Sequence, residues 1–394
     1  MATHVQNAAP PQPPAPPRMS ARAAGVALLL FLFLGLGSTV YAIVFQGLDL
    51  LPQGLTRAAF LDGATMRSMA DALAKAPQAR VAAEAERGTS WVLSGDLGPQ
   101  VRQGCPGWLF LAEELAPHAD GAAHAAARAD VAVRLRAALE KKGIRLLVVV
   151  VPDKSRIEQS RLCGLQRPAA LAGRLDDWTD RLRAAGVPVL DVTPVLAAPM
   201  GRGEDPFLRT DTHWNEAGAA ASAQAVADAV KALGVERTPA QDYDVVQQPP
   251  ARRPGDLVHL AGIDGLPLAL QPAPETLPAS SFTPRQAAGA VPAATGAATA
   301  SSSSDADLFG DADLPRIALI GTSYSRNSHF ADFLAKDLGT PVANLAKDGG
   351  NFWGAAEAYF ASPAFKQTPP RLVVWEIPER SLQRTTAGER WTLP

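Results

Sequence analysis

Residues 23–45 form a 23-residue run without one charged side chain, rich in Leu, Phe, Val and Ala. In a bilayer such a run has to be helical, because each backbone N–H and C=O needs a partner inside the segment. About 20 apolar residues are enough to cross the hydrocarbon core. Arg18 and Arg22 precede the run and Asp49 follows it. The positive-inside bias then keeps a short tail, residues 1–22, in the cytoplasm and exports the remainder. A cleaved signal peptide is the competing reading. Its apolar region usually runs only roughly 7–15 residues to a small-x-small site. Here the run is longer and Val40-Tyr41-Ala42 is a poor match, so an uncleaved inner-membrane anchor is expected.

Export narrows the chemistry. Outside the cytoplasm, ATP- or NAD-dependent reactions are not expected, and no cofactor is. The chain has two cysteines, Cys105 and Cys163, and no Cys-x-x-Cys pair. A thiolate metal centre is therefore not expected. In an oxidising compartment the pair is expected to form a disulfide rather than two unrelated buried thiols. A formal net charge of −2, with no long basic run, argues against nucleic acid as a partner.

The 394 residues, 47% of them hydrophobic, suffice for one large core. The Pro-rich run at 10–17 reads as a disordered tail. Residues 46–95 read as a juxtamembrane stalk, helical over roughly 55–87 and Ala-rich. Residues 96–394 read as the soluble domain. Within it, 144–151 (IRLLVVVV) is the kind of continuous apolar run that a parallel sheet buries on both faces. Strands are also expected at 187–192, 316–320, 342–345 and 371–377, with helices at 122–142, 171–185, 215–233 and 328–338. Such alternation predicts an α/β fold with helices on both faces of the sheet. Residues 278–313, dominated by Ala, Ser, Thr, Gly and Pro, read as a flexible insertion.

Open α/β sheets carry their sites at the carboxyl ends of strands, and two polar clusters fall there. Gly321-Thr322-Ser323-Tyr324-Ser325 follows the strand RIALI. A serine between a strand end and a helix start is exposed and close to backbone N–H groups able to hold an oxyanion. A plain turn with a helix cap fits the same residues. Asp211-Thr212-His213-Trp214-Asn215 precedes a helix. A hydroxyl needs a base, and the base needs an acid to hold its tautomer. Asp-x-His supplies both if the loop bends; a surface loop with a turn and a cap is the alternative. Of the six histidines only His213 has an acid two positions earlier in such a setting.

Five segments in order, Gly107-Trp108-Leu109-Phe110, Val151-Pro152-Asp153-Lys154, Asp211-Thr212-His213-Trp214, Gly321-Thr322-Ser323-Tyr324-Ser325 and Trp375-Glu376-Ile377-Pro378-Glu379-Arg380, resemble the AlgJ/AlgX-like alginate O-acetyltransferases of the SGNH hydrolase-like superfamily. The resemblance runs from about residue 100 to 385. It implies a three-layer α/β sandwich with a mainly parallel sheet, circularly rearranged so that Asp and His precede Ser. It also implies Ser323 as nucleophile, His213 as general base and then acid, and Asp211 as the orienting carboxylate. Tyr324 and Gly349 or Gly350 would offer oxyanion donors. The usual Gly-x-Asn-Asp block is missing, with Asn351 a substitute or a simple loop residue. Trp214 and Trp353 are candidate sugar-stacking rings or core aromatics. Glu376 and Glu379 are expected to pair with Arg380.

The implied function is transfer of acetyl groups to a secreted polysaccharide, supplied across the membrane by a multi-pass acyltransferase partner. A polysaccharide acetylesterase and a non-catalytic scaffold of a secretion complex are the alternatives.

Overall fold

The computed structural model describes residues 21–50, 56–198, 205–285 and 314–394. Contacts divide the chain into two units, residues 1–86 and 87–394. In the first, one helix, Ala21–Gln46, contains an apolar segment long enough to cross a membrane, with mean hydropathy 2.3. Almost all its side chains are exposed. The Pro-rich run at 10–17 lies outside the described residues.

The expected stalk is broken into three helices, Arg57–Leu61, Ala64–Ala74 and Pro77–Ser94. The breaks have local causes. Gly63 takes a left-handed conformation, and Pro77 starts a helix because its missing N–H is needed by no partner there. The second unit begins inside the last of these helices, ahead of the expected boundary at 95.

The second unit is built on five parallel strands. In spatial order they are Val342–Asn344, Ile317–Ile320, Leu372–Pro378, Arg145–Val151 and Val189–Asp191. The two longest lie side by side at the centre, with Leu372 against Arg145 and Pro378 against Val151. Alternate residues feed opposite faces. Leu146, Val148 and Val150 pack under helices Gly121–Glu140 and Arg174–Ala184. Leu147, Val149 and Val151 pack under helices Glu216–Ala232 and Phe330–Leu338. Each such side chain contributes about 1.5–3 kcal/mol when taken fully out of water. Two apolar faces explain why this strand reads as unbroken valine and leucine.

Two expectations need correction. The helix predicted from Ser328 starts at Phe330, because Ser328 and His329 both adopt positive φ. The supposed insertion is ordered at its start: Ser280–Pro284 is a strand, paired antiparallel with Tyr243–Gln247. Thr and Phe at its centre supply β propensity that composition alone concealed. Residues 286–313 lie outside the described residues.

Candidate active site

The serine half of the site grows out of the sheet. Strand Ile317–Ile320 is buried along its whole length, and the chain leaves it through Gly321 and Thr322 into a short 3-10 turn, Ser323–Ser325. Glu376, from the adjacent strand, is fully buried beneath this turn. Its carboxylate accepts from Thr322 N (2.6 Å), Thr322 Oγ1 (3.0 Å) and Ser325 Oγ (3.0 Å). Burial pushes the Glu376 carboxyl above its ordinary range, and the Thr322 and Ser325 hydrogen bonds oppose that rise. Gly321 is required here: a Cβ would stand 2.5 Å from Glu376 Oε2. Asn327 closes the turn, donating through its backbone N and Nδ2 to the Ser323 carbonyl, both at 2.9 Å. Ser323 is left half-buried.

The histidine half is a loop ahead of helix Glu216–Ala232, whose cap Asn215 accepts from Gly218 N at 3.0 Å. His213 N donates to Asp211 Oδ1 at 2.9 Å, which folds the carboxylate back over the following residues. The same oxygen then meets His213 Nδ1 at 2.6 Å. On the other side of the ring, Nε2 lies 2.7 Å from Ser323 Oγ. Burial favours the neutral Asp211 acid, yet the hydrogen bonds and charge of His213 outweigh it and bring the carboxyl down to about 2. An ionised carboxylate thus orients a ring whose far nitrogen can take a proton from the hydroxyl.

Below this loop sits Lys154, buried completely at the end of strand Arg145–Val151. Its Nζ donates to three backbone carbonyls, those of Leu109 (2.7 Å), Arg209 (3.0 Å) and Asp211 (3.0 Å). The Trp108 and Phe110 rings flank the ammonium at 5.1 and 5.0 Å from their centroids. Desolvation lowers Lys154 to about 8 even though Glu114 and Asp211 favour the charge.

Likeness to known proteins bears on this arrangement. The family described as "SGNH hydrolase-like domain, acetyltransferase AlgX" matches residues 101–379. The Pseudomonas aeruginosa protein named "Probable alginate O-acetylase AlgJ" is 34% identical over 287 residues, covering 72% of this chain and 71% of that protein. Its Pseudomonas putida namesake is 36% identical over 291 residues, covering 72% and 70%. The solved O-acetyltransferase domain of Pseudomonas putida AlgJ superposes with a TM-score of 0.59 at 30% identity, covering 73% of this chain and 93% of that one. The chain belongs to the AlgJ/AlgX family of SGNH-like acetyltransferases.

Several residues expected from AlgJ/AlgX resemblance lie elsewhere than at the reacting atoms. Trp214 is fully buried between Phe330 and Tyr324, and Trp353 packs in the core against Phe352, Phe360 and Trp375. Neither offers a face to a sugar; both are core aromatics. Gly350 N is committed to the Lys347 carbonyl at 3.0 Å, and Tyr324 N reaches only Thr322 Oγ1 at 3.4 Å. The Tyr324 hydroxyl is interior, donating to the Thr212 carbonyl at 2.9 Å. Asn351 is exposed in a positive-φ turn and accepts from Arg384 at 2.7 Å. Gly350 does lie by the serine turn: Lys347 N donates to the Gly321 carbonyl at 3.0 Å, and a Cβ on Gly350 would stand 3.5 Å from that same oxygen. Cys105 and Cys163 are bonded to each other.

The expected pairing of Glu376 and Glu379 with Arg380 is not what forms. Glu376 serves the serine turn, while Glu379 is gripped by Arg156, Arg167 and Arg174. Arg380 instead lies over the Tyr324 ring, 5.3 Å from its centroid. Sequence reasoning also missed Lys154 as a support, although Pro-Asp-Lys at a strand end was a visible signal. Asp256 was missed outright. It is remote in the chain and follows no periodic pattern, yet its backbone N donates to Asp211 Oδ2 at 3.2 Å. Asp211, His213 and Asp256 bring donor atoms within 4.8 Å of one another. The 2.6 Å between Asp211 Oδ1 and His213 Nδ1 accommodates a proton in a charge-assisted hydrogen bond, not a metal ion.

Proposed function

We propose that this chain is a membrane-anchored O-acetyltransferase that acetylates hydroxyls of a secreted, alginate-like polysaccharide through an acetyl-serine. The reading is carried by the continuous contact Asp211–His213–Ser323, at 2.6 and 2.7 Å. His213 takes the Ser323 proton as Oγ attacks the carbonyl carbon of an acetyl donor. Backbone N–H groups at the start of the 3-10 turn, among them Tyr324 N with only its 3.4 Å contact to Thr322 Oγ1, and that of Gly349 receive the oxyanion. Collapse leaves acetyl-Ser323, and the leaving group departs with the proton from His213. A sugar hydroxyl then gives its proton to His213, attacks the acetyl carbon and regenerates Ser323. With water as acceptor the same steps release acetate.

An outward-facing domain on an inner-membrane anchor is supported by the apolar helix at residues 22–46 and by the Cys105–Cys163 bond, which suits an oxidising compartment. Because the acetyl donor must be delivered on that side, a multi-pass membrane acyltransferase is the partner this reading requires. The test is mass spectrometry of the detergent-solubilised chain incubated with an acetyl ester, with and without oligomannuronate. An acetyl adduct on Ser323 that disappears as acetylated oligosaccharide accumulates is expected. Absence of both adduct and acetylated product would sink the proposal.

A further inference from the structure

We propose that Asp256 is a second carboxylate of the site, a positioning residue that with Arg253 registers His213 against Ser323 and stabilises the imidazolium during acyl transfer. This rests on the acyl-transfer reading above. The two residues lie in Arg253-Pro254-Gly255-Asp256, a segment that touches both halves of the site.

Arg253 faces the serine half. Its Nη2 donates to Asn327 Oδ1 at 3.1 Å and its Nη1 to Ser328 Oγ at 3.4 Å. Asn327 in turn holds the Ser323 carbonyl. Asp256 faces the histidine half. Its Oδ1 accepts from Thr212 N at 2.7 Å, and its Oδ2 accepts from Thr212 Oγ1 at 2.5 Å. The same Oδ2 stands 3.5 Å from His213 Nδ1. Gly255 between them allows the approach, because a Cβ there would overlap the Thr210 carbonyl.

The charges give the arrangement its purpose. Two carboxylates, Asp211 and Asp256, share a hydrogen-bonded corner and repel each other while His213 is neutral. Once His213 takes the Ser323 proton, the cation has both carboxylates at its Nδ1, at 2.6 and 3.5 Å, so the charge formed in the reaction meets a field already in place. The other groups facing this corner are Lys154 and Arg253, toward Asp211, and the Tyr324 ring, 5.1 Å from the His213 ring, with Arg380 against that same tyrosine.

The test uses the full chain in detergent. Replacing Asp256→Asn keeps an acceptor for Thr212 but removes the charge. The acid limb of kcat/KM for p-nitrophenyl acetate is expected to move down by about one pH unit, because a nearby anion favours imidazolium. The limiting kcat is expected to fall about tenfold with KM little changed. A merely structural role would leave the pH limb in place. Independently of turnover, the His213 titration is followed by NMR on ¹³C-labelled histidine in a Ser323→Ala background, with and without Asp256→Asn. A lowered midpoint supports the inference even where ester turnover fails, in which case it is the acyl-transfer reading that falls. Superposable titration midpoints in a folded variant, judged by circular dichroism, overturn the inference.

Discussion

The two halves of the site are held from below by buried side chains of opposite hydrogen-bonding character. Under the histidine loop a donor, Lys154, gathers three carbonyls from two chain segments far apart in sequence. Under the serine turn an acceptor, Glu376, gathers a backbone N–H and two hydroxyls from a single tight turn. The difference follows from what each piece of chain leaves unpaired. A turn that opens a helix presents free donors and calls for an acceptor. A loop that crosses several segments presents free carbonyls and calls for a donor with three hydrogens, which lysine has. The serine turn is thereby tied to the sheet at one neighbouring strand. The histidine loop is tied to the end of the central strand Arg145–Val151 and to the strand Leu109–Leu111.

Removing either reacting end sets the scale for this comparison. Ser323→Ala should reduce acetyl-ester turnover by roughly 10³-fold or more while leaving the melting temperature nearly unchanged. Turnover retained in that variant would dissolve the comparison, since neither half would then frame a nucleophile.

Glu376→Gln should come next. Its amide oxygen can keep Thr322 N and Ser325 Oγ, but its N–H₂ then has to donate to Thr322 Oγ1 where a carboxylate oxygen accepted, and the imperfectly matched buried group costs about 1–3 kcal/mol. Displacing the serine by even a fraction of an ångström should lower kcat by about 10²-fold with little change in KM for a small ester. Lys154→Met should cost more stability, about 3 kcal/mol, because three carbonyls lose a charged donor at once. Its effect on kcat should be smaller, about tenfold, since Asp211 remains folded onto His213 by its own hydrogen bonds. If Lys154→Met slowed turnover more than Glu376→Gln, the histidine loop would be the less self-sufficient half.

Alkaline pH sharpens the same contrast. Lys154 sits at about 8 in the folded chain, against an ordinary value of 10.5. The unfolded chain therefore binds more protons between those values, and stability rises with pH across that window. The gain is roughly 3 kcal/mol in size and should be absent in Lys154→Met, as thermal melts from pH 7 to 10.5 would reveal. Last and smallest for activity is the disulfide. Cys105 N donates to the Arg161 carbonyl at 2.8 Å, and the bond to Cys163 anchors the chain just before the Leu109 strand. Replacing both cysteines with serine should lower stability by about 2–4 kcal/mol. The same change should slow p-nitrophenyl acetate turnover only a few-fold, through the histidine half alone.

The apolar N-terminal helix, the sheet strands and the Asp-x-His and Gly-Thr-Ser clusters were all legible in the amino-acid order. The first two are written as unbroken apolar runs, whose length and burial needs leave few alternatives, and the clusters as polar residues placed where strands end. The Ser280–Pro284 strand escaped because its neighbours are low in complexity and its partner lies 33 or more residues earlier. Trp214 was ambiguous for a different reason: an indole beside a catalytic-looking histidine has the same letters whether it faces a sugar or Phe330.

What the chain's order determined, then, was which residues are candidates for chemistry and which segments must be buried. Only the folded arrangement decided that Lys154, Glu376 and Asp256 support them, and that Trp353 and Arg380 do not touch the reacting atoms. Hydrophobic burial is local enough to leave a periodic trace along the chain. A buried charge, by contrast, is placed by the hydrogen-bond needs of backbone groups brought together from distant segments, and those needs exist only once the segments have met.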